Sequence, residues 1–498
     1  MHWQVYKNIL ANWLGLLTTA LVGFLLTPFI LHRLGNVGFG LWVLTSTFTG
    51  YYGLLDFGIR SALTRYIARF AATEDWNNLG RVISTALFAY SLICLVILLL
   101  TGSIAWYFES LFRVSPEWVP TGKLVLLIFG AGTALGVPLG VYAGVLEGLQ
   151  RFTWIGGVQV MTALLRAILI VIALGWGRGL LALACISVGT TLLGYLIYIL
   201  VVFRVCPQLR LRWADVQKST FHLLAGFGLV TFWIAVAQQL RFQADALVIG
   251  TFLSVQAISL FSIGAKLVSY ATEVVQTMAQ VFTPMSSHFD ASGDVEQLRR
   301  ILIVGNRYSS LLIFPMSAVL LVLGKSIIRV WVGPAYLSSY AVLAILTVPT
   351  ALYLAQATST KVLYGMARHS VLAQVLFLEG VSNLVLSILL LKWYGINGVA
   401  LGTAIPLACT SLFFLPRHLC RLVGLRLRFY LWEAHFYPLL LCVPLVLVLW
   451  SVDRLIQVQT YGSLLLTLTA GGIVYGLLAL GYFYWTERLG NLRWARWP

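Results

Sequence analysis

Arg69-Phe-Ala-Ala-Thr-Glu-Asp-Trp-Asn-Asn-Leu-Gly-Arg81 is answered 219 residues later by His288-Phe-Asp-Ala-Ser-Gly-Asp-Val-Glu-Gln-Leu-Arg-Arg300, with Phe, Ala, Asp, Leu and Arg in the same places. Each stretch is a polar connection between long apolar runs. The same shift sets Leu34 on Leu253 and Leu41 on Leu260. A shift of 217 sets Leu146-Glu-Gly-Leu-Gln-Arg151 on Leu363-Tyr-Gly-Met-Ala-Arg368, and Trp176 on Trp393. The period covers six apolar runs, an even number. If each run crosses a membrane, the two copies share one orientation and are related by an axis along the membrane normal.

Outward from these connections, apolar runs bounded by charged or turn residues fall near residues 9–31, 39–59, 82–108, 123–147, 154–175, 179–203, 222–250, 257–285, 301–324, 340–361, 369–391, 396–415, 433–450 and 463–485. A run of roughly 20 apolar residues spans a bilayer as a helix. The 498 residues are 60% hydrophobic and 10% charged, against roughly 25% charged in soluble proteins, and the mean hydropathy is +0.91. The reading is an all-α polytopic membrane protein of about 14 transmembrane helices. Two six-helix bundles in parallel repeat, 1–220 and 221–432, are followed by two further helices and a cytoplasmic tail, 433–498. A water-soluble enzyme is excluded.

Lys and Arg exceed Asp and Glu by 33 to 16, a net charge of +17. In a soluble protein that excess would suggest nucleic acid; here the basic residues lie mostly between apolar runs. Twenty-one fall in the loops of one side together with both termini, nine on the other, and only Arg166, Lys266 and Arg307 within spans. The positive-inside rule then puts both termini in the cytoplasm. The basic stretches 204–218 and 417–428 are accounted for by anionic lipid. The first apolar run is too long for a signal-peptide core and is expected to be retained. The six cysteines form no C-x-x-C or Cys/His cluster, so neither disulfide nor metal is expected. No phosphate-binding G-x-x-x-x-G-K-[ST] loop occurs, and neither a cofactor nor direct ATP drive is expected.

Polar groups at membrane depth are costly unless they line a wet cavity or pair with one another. Four spans carry such groups at helical spacing. The second has Trp42, Ser46, Thr49, Gly53, Asp56 and Arg60; the eighth has Lys266, Tyr270, Glu273, Thr277 and Gln280. The first has Asn8, Asn12, Gly15 and Thr19, and the seventh Thr231, Gln238, Arg241 and Asp245. Spans one and two are the repeat mates of seven and eight, which suggests two equivalent helix pairs facing across a wet cleft. Against this stands the plain alternative that such stripes are helix contacts, that Arg241 and Asp245 are a local ion pair, and that Arg60 and Arg307 snorkel to headgroups. Lys266, Glu273 and Arg166 lie deeper and fit that alternative less well. Prolines 28, 138, 284, 315, 349, 406 and 444 permit kinks in or at the ends of spans.

Pro28-Phe-Ile-Leu-His-Arg-Leu-Gly-Asn-Val-Gly-Phe-Gly-Leu41 and Leu54-Leu-Asp-Phe-Gly-Ile-Arg-Ser-Ala-Leu-Thr-Arg-Tyr-Ile-Ala68 resemble the N-terminal signature of bacterial polysaccharide and O-antigen flippases, within the multidrug/oligosaccharidyl-lipid/polysaccharide superfamily. Pro284-Met-Ser-Ser-His-Phe-Asp-Ala-Ser-Gly-Asp294, Trp331-Val-Gly-Pro-Ala-Tyr336 and Gly395-Ile-Asn-Gly-Val-Ala-Leu-Gly-Thr403 resemble the same family at matching intervals. The resemblance implies a central cavity lined by spans one, two, seven and eight. It also implies a polyprenyl-diphosphate-linked oligosaccharide moved across the cytoplasmic membrane. A diphosphate in a low-dielectric cleft needs cations, for which Arg60, Arg166, Arg241, Lys266 and Arg307 are the candidates. Asp56, Asp245 and Glu273 would hold those cations or carry a coupling H+ or Na+, and Asn12, Ser46, Thr49, Tyr270 and Gln280 would add polar lining. The alternatives within the superfamily are a peptidoglycan-precursor flippase and a cation-coupled multidrug exporter. A membrane glycosyltransferase or polymerase is disfavoured by short outer loops in which only Glu109 and Glu117 are acidic.

Overall fold

The structure is a computed structural model. It describes the backbone of residues 2–209, 211–212, 215–368 and 370–493, and their side chains except 2–14, 16–17, 223–231, 234, 242, 370 and 485–493. Among the described residues every regular element is a helix: α1 (His2–Tyr52), α2 (Ile59–Ala72), α3 (Trp76–Trp106), α4 (Phe108–Leu111), α5 (Val119–Gly148), α6 (Phe152–Gly175), α7 (Leu180–Val205), α8 (Lys218–Phe252) and α9 (Val255–Ala279) come first. They are followed by α10 (Phe282–Ala291), α11 (Val295–Val322), α12 (Gly324–Trp331), α13 (Ser339–Leu354), α14 (Ala357–Gly365), α15 (Ser370–Tyr394) and α16 (Ile396–Cys409). The last are α17 (Leu415–Val423), α18 (Leu427–Leu431), α19 (Tyr437–Leu440), α20 (Cys442–Ile456) and α21 (Tyr461–Arg493).

Eleven helical stretches are long and apolar enough to cross a bilayer among the described residues, or twelve when α13 and α14, bent by 42° at their junction, count as one span. The expected figure of fourteen is not reached by this measure. The first two expected spans run together as α1, which leaves helical geometry only at Gly35 (φ 67°, ψ −179°). Much of α8 carries side chains outside the described set. At the α13–α14 break, Gln356 donates from Nε2 to the Ser411 carbonyl at 2.7 Å. Two π-helical turns, Thr410–Phe414 and Trp432–Phe436, lie just before Pro416 and Pro438. Proline lacks the N–H that would close the preceding α-turn, so the ladder widens there.

The helices pack as two compact units, 1–259 and 260–498. In the first, α5 is the hub, flanked by α1, α2, α3 and α7. Leu63, Ile67, Ile83, Val145, Leu146 and Val202 make up much of the core between them. Leu99, Leu200, Leu465 and Leu477 are exposed, as lipid-facing surfaces require. In the second unit, α11 packs against α13, α14 and α20, and α15 and α16 form a close hairpin.

Inside each unit the same local geometry recurs at the shifts read from the sequence. Asp75 caps α3 by accepting from the Asn78 N–H at 3.0 Å, and Asp294, 219 residues on, caps α11 by accepting from the Gln297 N–H at 3.0 Å. The residue before each cap, Glu74 and Gly293, has positive φ. Gln150 and Ala367, 217 apart, share φ of 55° and 53°. Gly148 meets α2 so closely that a Cβ there would stand 2.9 Å from the Thr64 carbonyl oxygen, and one on Gly365 would stand 2.6 Å from that of Thr283. Both glycines lie where two backbones touch, so neither position has room for a side chain.

Candidate functional site: a charged helix break in the first unit

The sequence Leu54-Leu-Asp-Phe-Gly-Ile-Arg60 folds as a break. A short 3-10 turn, Gly53–Asp56, ends α1, and Phe57 (φ 48°) and Gly58 (φ 73°) take left-handed conformations before α2 starts at Ile59. Gly58 adopts that conformation without steric cost, which turns the chain and frees the first N–H groups of α2. Asp56 meets one of them: its Oδ1 accepts from the Arg60 N–H at 3.3 Å. The same carboxylate accepts a hydrogen bond from the hydroxyl of Tyr90 on α3. Tyr90 is buried, so Asp56 is fixed from two sides.

Arg60, one turn into the break, reaches across to α5. Its Nη2 lies 2.6 Å from Oε1 of Glu147, with the side chains 50% and 27% exposed. Tyr90 and Tyr195 stand within electrostatic range of the guanidinium, and Tyr195 and Tyr198 pack edge-on at 6.3 Å. The arrangement is a half-exposed guanidinium with one ion-pair partner, a second carboxylate, Asp56, in electrostatic range, and four of its five N–H donors outside the Glu147 contact. Such a group suits a phosphate oxygen.

The other expected residues of this unit are placed separately. Arg166 lies between α6 and α7, donating from Nε to Thr190 Oγ1 at 3.0 Å and from Nη2 to Thr191 Oγ1 at 2.9 Å. Arg241 and Asp245 are both buried on α8, one turn apart, and Asp245 acts electrostatically on Tyr51. Ser46 hydrogen-bonds the Val43 carbonyl of its own helix, and Thr49 is exposed. The side chains of Asn12 and Thr231 lie outside the described residues.

In the second unit, the stripe on α9 is the face turned away from that unit's core. Lys266, Glu273 and Gln280 are exposed, whereas Leu267, Ala271, Val275 and Ala279 are buried. Lys266 Nζ lies 6.0 Å from the centre of the Tyr270 ring and interacts with the Glu273 carboxylate. Arg307 is engaged differently: it donates to the Glu433 side chain at 2.9 Å and to the Glu433 carbonyl at 3.0 Å. Beside it Asn306, fully buried, donates to Ser359 and Tyr430 at 2.8 and 2.9 Å, and Ser310 pairs with His435 at 2.8 Å. This polar seam stitches the 427–440 segment to α11.

Glu147 is the residue the sequence did not single out. The only signal was its place in the repeated Leu146–Arg151 stretch, where its mate is Tyr364. The repeat preserves backbone contacts but not charge: at a shift of 219, Asp56, Arg60 and Tyr90 fall on Val275, Ala279 and Ser309. The charged break therefore has no charged counterpart at the matching positions of the second unit.

Among the described residues the fold is all-helical, with eleven or twelve stretches able to cross a bilayer, which defines a polytopic membrane protein. The chain belongs to the polysaccharide biosynthesis protein family, whose model matches residues 30–342. It is 23% identical over 487 residues to the uncharacterized membrane protein EpsK of Bacillus subtilis (strain 168), covering 95% of this chain and 94% of EpsK. It is 21% identical over 491 residues to Agl15, a probable low-salt glycan biosynthesis flippase of Haloferax volcanii, covering 96% of this chain and 95% of that protein. The lipid II flippase MurJ in an inward closed conformation shares the fold, with a TM-score of 0.71 at 15% identity over 99% of this chain and 100% of that one.

Proposed function

We propose that this protein is a flippase that carries a polyprenyl-diphosphate-linked oligosaccharide across the cytoplasmic membrane by alternating access, for O-antigen, exopolysaccharide or a related surface glycan. Membership of the polysaccharide biosynthesis family supports the substrate class, and the similarity to Agl15, a probable glycan biosynthesis flippase, supports the reaction. The observation that carries the reading is Arg60, a half-exposed guanidinium at the charged break of the first unit. A diphosphate entering a low-dielectric site loses its hydration, and a positioned guanidinium replaces part of it with charge-assisted hydrogen bonds.

In this reading Arg60 contacts the diphosphate in the first unit, with Arg241 as a buried supporting charge there, and Lys266 is the candidate substrate cation of the second unit. Arg166 holds α6 to α7 through its threonines, and Arg307 holds the C-terminal segment. Asp56 supports Arg60 and Glu273 supports Lys266, each within its own unit, and either carboxylate carries a coupling H+ or Na+. Asp245 supports Arg241, and Ser46, Thr49, Asn12, Tyr270 and Gln280 supply polar lining. Both termini lie in the cytoplasm, and the chain is organised as six, six and two helices. The protein moves its substrate without making or breaking covalent bonds in it.

Reconstitution into liposomes containing a labelled polyprenyl-diphosphate oligosaccharide tests the reading. Interior lipid should become accessible to an external glycosidase faster than in protein-free vesicles. Equal rates would refute it.

A further inference from the structure

Arg60 is half exposed and yet already holds a carboxylate. A guanidinium held against packed helices is unfavourable without a counter-charge, and in this structure Glu147 is its ion-pair partner, 2.6 Å away. A diphosphate that binds Arg60 therefore meets an anion already in place. We propose that Glu147 is a displaceable counter-anion: the substrate diphosphate takes Arg60 from it on loading, and Glu147 takes Arg60 back to drive release. This rests on the reading of Arg60 as a diphosphate contact and adds how that contact is undone.

Three features fit Glu147 for the exchange. It cannot withdraw through its backbone, because the next residue, Gly148, is pressed against the Thr64 carbonyl and Ile67 of α2. The stem of Arg60 runs alongside α5 as well, its Cγ 3.9 Å from where a Cβ on Gly144 would stand. Both partners are thus anchored at their backbones, and only the side-chain contact is free to open. The carboxylate of Asp56, also within electrostatic range of Arg60, is committed to the Tyr90 hydroxyl and the Arg60 N–H, so it does not take Glu147's place.

The electrostatics set the direction. Asp56 acts on Arg60 in both states. When the diphosphate displaces Glu147, the freed carboxylate and the diphosphate stand beside the same guanidinium, and their repulsion weakens the loaded state relative to a site without Glu147. Removing the negative charge should then hold substrate tighter and release it more slowly. A group that merely orients Arg60 would do the reverse, because its loss would weaken binding.

Glu147→Gln keeps the size and an oxygen acceptor for Arg60 Nη2 while removing the charge. In the full-length protein reconstituted with labelled lipid-linked oligosaccharide, the substrate concentration at half-maximal flipping and the maximal rate should both fall, each by about tenfold, the factor that ~1.4 kcal/mol produces. Glu147→Asp, which keeps the charge, should stay within about threefold of the parent in both, a difference below ~1 kcal/mol. Inorganic pyrophosphate, titrated into the detergent-solubilised protein, should bind the Glu147→Gln variant more tightly than the parent. A raised half-saturation, or unchanged values for both parameters and for pyrophosphate, overturns the proposal. The underlying reading fails differently: the parent protein would not flip the lipid, or Arg60→Ala would flip it normally. If Glu147→Gln proves unstable, Glu147→Ala with the same pyrophosphate titration reads the same charge, and looser binding there overturns the proposal.

Discussion

Gly148 stands so close to Thr64 that a methyl group added to it would lie 2.9 Å from the Thr64 carbonyl oxygen and 2.7 Å from Ile67 Cγ2. This contact sets the spacing of α2 and α5, and hence the reach from Arg60 to Glu147. Gly148→Ala must push the helices apart, and overpacking of this kind costs about 1–3 kcal/mol. A lower melting temperature in detergent and reduced flipping per folded molecule are expected. A variant that melts with the parent would show that the helices part without cost. Gly365→Ala, its repeat mate, should destabilise the second unit in the same way.

Tyr90 and Asp56 should behave as one unit. Tyr90 is 4% exposed, and its hydroxyl donates to Asp56. Tyr90→Phe takes a partner from a partly buried carboxylate, at roughly 1–3 kcal/mol. In a double-mutant cycle with Asp56→Asn, the second substitution should cost less in the presence of the first. Strictly additive losses in melting free energy would mean that the hydrogen bond contributes nothing.

Two cations in the second unit should give opposite results. Lys266 lies on the exposed face of α9, so Lys266→Ala should leave stability within about 0.5 kcal/mol while lowering the flipping rate. Arg307 is bound twice by Glu433; Arg307→Ala removes both contacts from a partly buried residue, costing roughly 1–3 kcal/mol. Its flipping rate per folded molecule should change little. Thermal unfolding and vesicle flipping measured on both variants check this, and an exchange of the two phenotypes would reverse the assignments.

Asp75 gives a pH dependence with a definite sign. The Asn78 backbone N–H, followed by the Asn78 side chain, holds the Asp75 carboxyl below the usual carboxylate range. A group depressed in the folded state adds stability above its unfolded pKa, ~3.9, and that contribution fades as pH falls through the lower folded value. Asp75→Ala should therefore melt earlier than the parent at pH 7, and the gap should narrow toward pH 3. A gap that is constant with pH would mean that the cap acts without its charge.

The backbone of this fold was legible in the sequence because its determinants are local or periodic. Apolar run length marked the helical spans, the shift of 219 marked the two polar connections in which the helix caps Asp75 and Asp294 lie, and 3.6-residue spacing marked the polar stripe on α9. The count of spans was less legible, since α1 continues past Gly35 where two runs were expected. Pairings between distant helices were not legible at all. Nothing near Arg60 announces Glu147, 87 residues away, and nothing near Arg166 announces that Thr190 and Thr191 take its donors. The engagement of Arg307 with Glu433, 126 residues on, was equally hidden. Charge placement needs tertiary contacts, and the repeat offers no help because it conserves backbone fit without conserving charge.

The most direct test of the central claim is the initial rate at which labelled polyprenyl-diphosphate oligosaccharide crosses vesicles containing equal folded amounts of the parent protein or Arg60→Ala. The expected result is rapid crossing with the parent and a loss of about tenfold or more in the variant, the equivalent of ~1.4 kcal/mol of lost diphosphate contact. Equal crossing by the two proteins, or a parent no faster than empty vesicles, would contradict it.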